Sequence, residues 1–240
     1  MSKDSEFLFL PLGGAEEIGM NLNLYGIDDK WLMVDLGVSF GEDRLPGVEV
    51  VMPDPSYIEA RCKDLLGLVL THGHEDHLGA VQYLWPRLQC PVYATSFTAS
   101  LLRAKLSETD FADHISIHEV SLGARFTLGP FDLEFITVTH SIPEPNALAI
   151  RTRLGTVLHT GDFKIDSTPL VGDEVDVDAL CRVGDEGVLA MVCDSTNVFE
   201  SGESGSEGAL RESLDEIVCD RSGRVALTTF ASNLARIETA

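Results

Sequence analysis

Leu66-Gly67-Leu68-Val69-Leu70-Thr71-His72-Gly73-His74-Glu75-Asp76-His77 opens as an apolar run and closes as a cluster of metal-ligand side chains. Leu66–Leu70 reads as a buried strand. Directly after it come His72, His74, Asp76 and His77, four potential ligands within six residues. A strand end is rigid, and the loop leaving it can turn side chains to one point. Imidazole nitrogens and carboxylates suit zinc or manganese. On an extended segment His72 and His74 project the same way. Asp76 and His77 are adjacent, project apart, and could serve a second metal. Gly73 allows close backbone approach. The rival reading is a polar loop with histidines by chance, but seven histidines in 240 residues rarely cluster so tightly.

Two other strand ends carry similar residues. His140 ends the apolar strand Phe135–Thr139, and Asp162 follows Leu158-His159-Thr160-Gly161. Taken alone, each reads as a capped or solvent-facing polar residue. With the cluster, each could complete a site, and a carboxylate such as Asp162 can bridge two cations. Two-metal sites hold their ions about 3.5–4 Å apart. His159 is left out of the ligand set, and His114 and His118 read as structural or surface residues.

The rest of the chain supplies the frame. Phe7–Leu12, Asn21–Tyr25, Trp31–Val34, Pro91–Ala94, Val188–Cys193 and Val225–Thr229 read as strands, Val188–Cys193 as a buried one. Ile115 to Thr160 is strand-like, with turns at Leu122-Gly123, Gly129-Pro130 and Leu154-Gly155. Leu78–Leu88, Phe97–Leu106 and Ser206–Val218 have helical spacing, with Ser206 a plausible N-cap. Ser232 caps a further helix that runs to the end of the chain. Gly37–Pro53 is a long Gly- and Pro-rich connection of the kind that often carries function. Strands dominate early and helices interleave later, which predicts an α/β layered fold of two sheets covered by helices. A change of unit falls near Glu200–Glu207, where Gly, Ser and Glu crowd.

Composition excludes some classes. Hydrophobic residues make up 44% of the chain, enough for a core, yet the longest apolar runs, such as Gly187–Cys193, are too short to span a bilayer. Met1–Glu6 is polar and acidic and does not read as a secretory signal. Five cysteines without CxxC spacing read as buried free thiols in a reducing compartment. Seventeen basic against thirty-nine acidic residues give a net charge of −22, which counts against nucleic-acid binding. Asp173–Asp178 and Glu200–Glu207 read as solvated acidic loops.

His72-x-His74-x-Asp76-His77, with Asp35, His140 and Asp162 in order, resembles the signature of the metallo-β-lactamase superfamily. Further segments narrow the resemblance to the bacterial ribonuclease J family, along nearly the whole chain. They are Gly13-Gly14-Ala15-Glu16-Glu17-Ile18-Gly19, Thr71–Gly79, His140-Ser141-Ile142-Pro143-Glu144, His159–Asp166, Asp194-Ser195-Thr196-Asn197 and Thr229-Phe230-Ala231-Ser232-Asn233. The metal signature alone indicates only a metallohydrolase; the last two segments point to the nuclease branch.

The resemblance implies a metallo-β-lactamase αββα sandwich over residues 1–205, incomplete at its C-terminus, with residues 206–240 beginning an inserted β-CASP domain. It implies hydrolysis of RNA phosphodiester bonds, exo- or endonucleolytic, by hydroxide activated by two divalent metals. Zinc is the expected metal, with manganese or magnesium as alternatives. His72, His74, His140 and Asp162 would hold one metal, and Asp76, His77 and the shared Asp162 the other. Asp35 would fix the histidine loop from behind. Asp76 would orient the attacking water or accept its proton. Asp194 would orient a histidine that protonates the leaving oxygen. Ser232 and Asn233 would lie near the RNA phosphate, since helix N-termini bind phosphate; for Ser232 a plain helix cap is an equal rival.

The resemblance also implies that the chain breaks off inside the insertion, one ligand short at the second metal, as a fragment or a truncated relative. RNA is the expected partner, with no membrane, homo-oligomerisation of the full-length protein and a cytoplasmic location. Two other readings stand beside it. One is a metallo-β-lactamase-fold thioesterase or lactonase with the same ligands, which the acidic charge favours. The other is a truncated, non-catalytic metal-binding interaction module.

Overall fold

The computed structural model describes residues 6–41 and 45–239. The reading of Met1–Glu6, apart from Glu6, and the centre of the Gly37–Pro53 loop lie outside the described residues. Apolar runs build a first sheet. β1 (Leu8–Gly13), β2 (Leu22–Ile27) and β3 (Lys30–Val34) form an antiparallel meander. Asp28 and Asp29 turn β2 into β3 with φ of 51° and 59°, the two-residue hairpin geometry that matches strand twist. Within the long loop that follows, β4 (Ser39–Phe40) pairs with β5 (Val50–Val51), and α1 (Ser56–Glu59) closes it. β6 (Leu65–Val69) then lies parallel to β3. α2 (Glu75–Leu78), α3 (Val81–Leu88), β7 (Val92–Ala94), α4 (Ser96–Leu106) and β8 (Ile117–Glu119) follow, and the sheet order is β1-β2-β3-β6-β7-β8.

The second sheet is built from hairpins. β9 (Arg125–Leu128), β10 (Phe131–Thr137), β11 (Asn146–Thr152) and β12 (Gly155–His159) pair antiparallel in sequence. α5 (Val177–Glu186) crosses over, and β13 (Ala190–Val192) adds parallel to β12. Strand alternation sorts the side chains into layers. Tyr25, Leu32, Val34 and Val69 of the first sheet meet Phe131, Leu133, Phe135, Leu148 and Ile150 of the second. The outer face of the first sheet packs Leu24, Met33 and Leu68 under Val81, Leu84, Trp85 and Leu102 of α3 and α4. The outer face of the second packs Ile136, Ala147 and Ala149 under Ala179 and Val183 of α5. Helix, sheet, sheet, helix is the αββα order expected.

Charge ties the outer layer down. Glu134 on β10 receives Arg151 at 2.8 Å and Arg182 of α5 at 2.5 Å, and Arg151 also reaches Glu186 at 2.8 Å. α6 (Glu207–Cys219) and α7 (Leu234–Thr239) come last. Ser206 caps α6, its Oγ accepting from Ala209 N at 3.1 Å.

Several expectations need correction. The helix read at Leu78–Leu88 starts only at Val81, as α3; Leu78 closes the separate short helix α2. Asn21 N donates to Asp76 O at 3.0 Å and Leu36 N to His77 O at 2.7 Å, so those carbonyls serve neighbouring loops and not a continuing helix. Val188–Cys193 is a strand only at Ala190–Val192. It forms the sheet edge, and Leu189 and Met191 are 64% and 60% exposed, not buried. Val225–Thr229 forms no strand, since no neighbouring strand pairs with it in either sheet. α7 is capped by Asn233, whose Oδ1 accepts from Arg236 N at 2.9 Å, and not by Ser232. Of the cysteines only Cys90 is buried; Cys62, Cys181, Cys193 and Cys219 are exposed, and all are free thiols.

The acidic loops also hold structure. Asp176 caps α5, a helix the sequence reading missed. Glu207 is buried against Lys164 at 2.9 Å and Arg236 at 3.3 Å. Among the described residues, no helix is long and apolar enough to cross a membrane.

Candidate metal centre

The loops leaving β3, β6, β10, β12 and β13 open on one end of the sandwich. β6 delivers Thr71–His77. Its backbone is anchored to a neighbouring loop by Val38 N donating to Glu75 O at 3.0 Å and Ala80 N to Leu36 O at 3.0 Å. Asp35 leaves β3 fully buried with φ of 62°, a left-handed conformation that costs a non-glycine residue about 1–3 kcal/mol. In that conformation its carboxylate accepts from Thr71 N at 2.8 Å and meets His77 Nδ1 at 2.8 Å.

Two groups of donors converge. His72 Nε2 and His140 Nε2 each lie 3.1 Å from His74 Nδ1, and His140 Nε2 lies 3.8 Å from Asp162 Oδ2. Across the same carboxylate, His77 Nε2 is 3.3 Å from Asp162 Oδ1 and 3.5 Å from Asp76 Oδ2. His72, His74, His140 and Asp162 thus form one group, and Asp76, His77 and Asp162 the other. Asp162 turns one oxygen to each.

The donor chemistry fits divalent cations. Nitrogens bound tetrahedrally at about 2.0–2.1 Å sit about 3.3 Å apart, close to the spacing found in the first group. Burial pushes His72 well below its ordinary value and His140 down to about 4, so both imidazoles are neutral and can offer a bare nitrogen. His74 is lowered too, by burial. His77 differs. Burial would lower it, but Asp35, Asp162 and Asp76 outweigh that and hold it well above the usual range. Burial would raise Asp162, but His77, His140 and His74 bring it to about 2. A cation entering the second group therefore displaces a proton, whereas the first group is already deprotonated.

Asp76, His77 and Asp162 line a cavity of about 560 Å³, together with Asp194 and the Gly14–Gly19 loop; the first group meets it through the shared Asp162. Asp194 belongs to neither group: its Oδ1 accepts from Thr196 N at 2.9 Å and Thr196 Oγ1 at 2.8 Å. Ser232 comes close through its backbone, with its carbonyl 3.3 Å from His74 Nε2. Asn233 spends its Oδ1 on the α7 cap. α7 docks beside the first group, Leu234 N donating to Ser141 O at 2.9 Å. His159, left out of the ligand set, is buried at the wall of the same cavity with Nδ1 2.9 Å from Tyr25 Oη. His118 stacks on Tyr93 at 4.8 Å between ring centroids.

The sequence reading passed over Thr71 and Asn21, whose Nδ2 donates to Asp76 O at 3.1 Å. Thr71 lay inside the quoted stretch, but its hydroxyl contacts depend on Asp35 arriving from another strand.

The model of the metallo-beta-lactamase superfamily matches residues 21–218. Ribonuclease J of Sinorhizobium meliloti is 50% identical over 99% of this chain and 43% of its own length. Ribonuclease J of Synechocystis is 40% identical over 95% of this chain and 36% of its own length. That of Thermus thermophilus is 37% identical over 95% and 41%. The chain therefore spans about two fifths of the length of these curated relatives. A crystal structure of a protein of unknown function from Enterococcus faecalis superposes with a TM-score of 0.66 at 16% identity, covering 91% of this chain and 59% of that one, and supports the fold alone. Signature, layered fold and family match agree: the chain belongs to the metallo-β-lactamase superfamily and is similar over nearly all its length to the ribonuclease J proteins.

Proposed function

We propose that the protein hydrolyses RNA phosphodiester bonds, using two divalent cations held by His72, His74, His140 and Asp162 on one side and Asp76, His77 and Asp162 on the other. The observation that carries this reading is the single carboxylate, Asp162, which belongs to both donor groups and lines the cavity. When bound, such cations polarise a phosphoryl oxygen and make hydroxide available near neutral pH. Zinc suits the nitrogen-rich first group, with manganese or magnesium as alternatives at the second.

The chain's own residues do the rest. Asp76 stands at the cavity wall, where it orients the attacking water or takes its proton. Asp35 holds His77 in the orientation that points Nε2 at Asp162. Asp194 faces the same cavity and orients the proton donor for the leaving oxygen; among the described residues no histidine lies at hydrogen-bond distance from it. Residues 206–240 begin an inserted domain, and from it Ser232 and Asn233 contact the RNA backbone. The whole protein works in the cytoplasm as a homo-oligomer.

The net charge of −22 opposes a polyanion, and two dications offset only four of those charges. That favours a second reading, hydrolysis of a small thioester or lactone by the same groups. Turnover of 5′-monophosphorylated RNA against a generic thioester, by the full-length protein loaded with zinc or manganese, separates the two. Cleavage of RNA alone is expected; turnover of the thioester alone would overturn the nuclease reading.

A further inference from the structure

Thr71 is fully buried, and its hydroxyl sits between two acceptors and two rings. Oγ1 lies 2.9 Å from Asp35 Oδ2, 3.0 Å from His72 Nδ1 and 3.4 Å from His77 Nδ1. The hydroxyl has one proton to give. If it went to His72 Nδ1, the 2.9 Å contact with Asp35 would set lone pair against lone pair. Given to Asp35, it makes a charge-assisted bond, and the Oγ1 lone pairs then face His72. His72 must answer with an Nδ1–H. Its remaining proton-free nitrogen is Nε2, the atom 3.1 Å from His74 Nδ1 in the first donor group.

We infer that Thr71 is a positioning residue: its hydroxyl lets one carboxylate, Asp35, set the ring orientation and tautomer of an imidazole in each metal group. Asp35 orients His77 directly and His72 through the Thr71 hydroxyl. The backbone N–H of Thr71 holds the other carboxylate oxygen at 2.8 Å, so the carboxylate cannot rotate away. The two groups thus share a carboxylate on each side, Asp162 in front and Asp35 behind. The inference rests on the reading of these groups as metal sites.

The consequence is asymmetric. Thr71→Val keeps shape and the backbone N–H but removes the relay to His72, leaving the His77–Asp35 contact in place. Loss of an outer partner of this kind costs about 10–100-fold in metal affinity. Calorimetric titration of the full chain with zinc alone, for wild type, Thr71→Val and Thr71→Ser, tests it. The expected result is a first-group affinity weakened by about 10–100-fold in Thr71→Val, restored in Thr71→Ser, with the second group changed far less. Equal weakening of both groups, no weakening, or no rescue by serine would overturn it.

Nitrogen-15 NMR of the His72 ring in the metal-free wild type gives an answer that does not need the variant to fold. Nδ1–H is expected, and Nε2–H would overturn the inference. If the wild type bound no zinc at all, the metal reading itself would fall, and this inference with it.

Discussion

The two donor groups share a carboxylate yet differ in kind. The first has three imidazoles and one carboxylate, with His72 fully buried and both His72 and His140 held neutral. The second has one imidazole among carboxylates, and that imidazole holds its proton tightly. The difference lies in what surrounds each ring. His72, His74 and His140 face one another, so each disfavours charge on the next. His77 faces Asp35, Asp76 and Asp162, so charge is favoured in spite of burial. Equal burial produces opposite protonation states, and a single sequence motif supplies both.

Removing the shared group should break the comparison. Asp162→Ala takes a donor from both groups, and titration with zinc is expected to lose both binding events. Retention of one tight event would show that Asp162 belongs to one group only. Asp76→Ala touches only the second group and the proton it handles. RNA cleavage by the full-length protein is expected to fall by about 10²–10⁴-fold with the fold intact by circular dichroism. Wild-type turnover would exclude Asp76 from the reaction.

The unaltered protein should itself resolve the two groups. Four donors against three predict one strong and one weak calorimetric event, and two equally tight events would mean that a further ligand takes part. Acidity should separate them further. Zinc affinity at the second group should rise with pH as His77 gives up its proton, while the first group, whose imidazoles burial holds below their ordinary value, should change far less across the same range.

The metal-free protein carries the complementary signal. His77 has a folded value raised above its unfolded value near 6.5. Its pairing therefore contributes stability in full below that pH, and loses it as pH rises through the folded value. Asp162, lowered from 3.8 to about 2, contributes stability above the unfolded value and loses it as pH falls between them. Thermal melts of the metal-free chain across pH read both slopes, and a melting temperature that climbs above neutral pH would contradict the His77 assignment. The smallest effect calibrates the rest: Ser206→Ala, remote from both groups, should cost about 0.5–2 kcal/mol through the lost α6 cap and leave both zinc events unchanged.

Most of the centre was legible because ligand type and strand position are local properties. An apolar run before Thr71, another before His140 and a third before Gly161 place these residues at strand ends, and strand ends share one side of a layered sheet. The errors fell where neighbours decide. Val225–Thr229 has strand composition but no strand pairs with it, and β13 lies at a sheet edge, where Met191 stays exposed while Val192 packs on the core. Glu207 looked like part of a solvated acidic loop because Lys164 and Arg236, its partners, are distant in sequence.

The sequence by itself determined the candidate ligands and the layered class, which follow from residue types and from the two-residue and 3.6-residue periods of the backbone, and the family resemblance, which follows from its motifs. Tertiary structure alone decided how Asp162 divides its oxygens, why His77 stays protonated while His72 does not, and that His159 pairs with Tyr25. Each of these is set by a distance between segments far apart in the chain. Coulomb energies and hydrogen bonds respond to angstroms that only packing fixes.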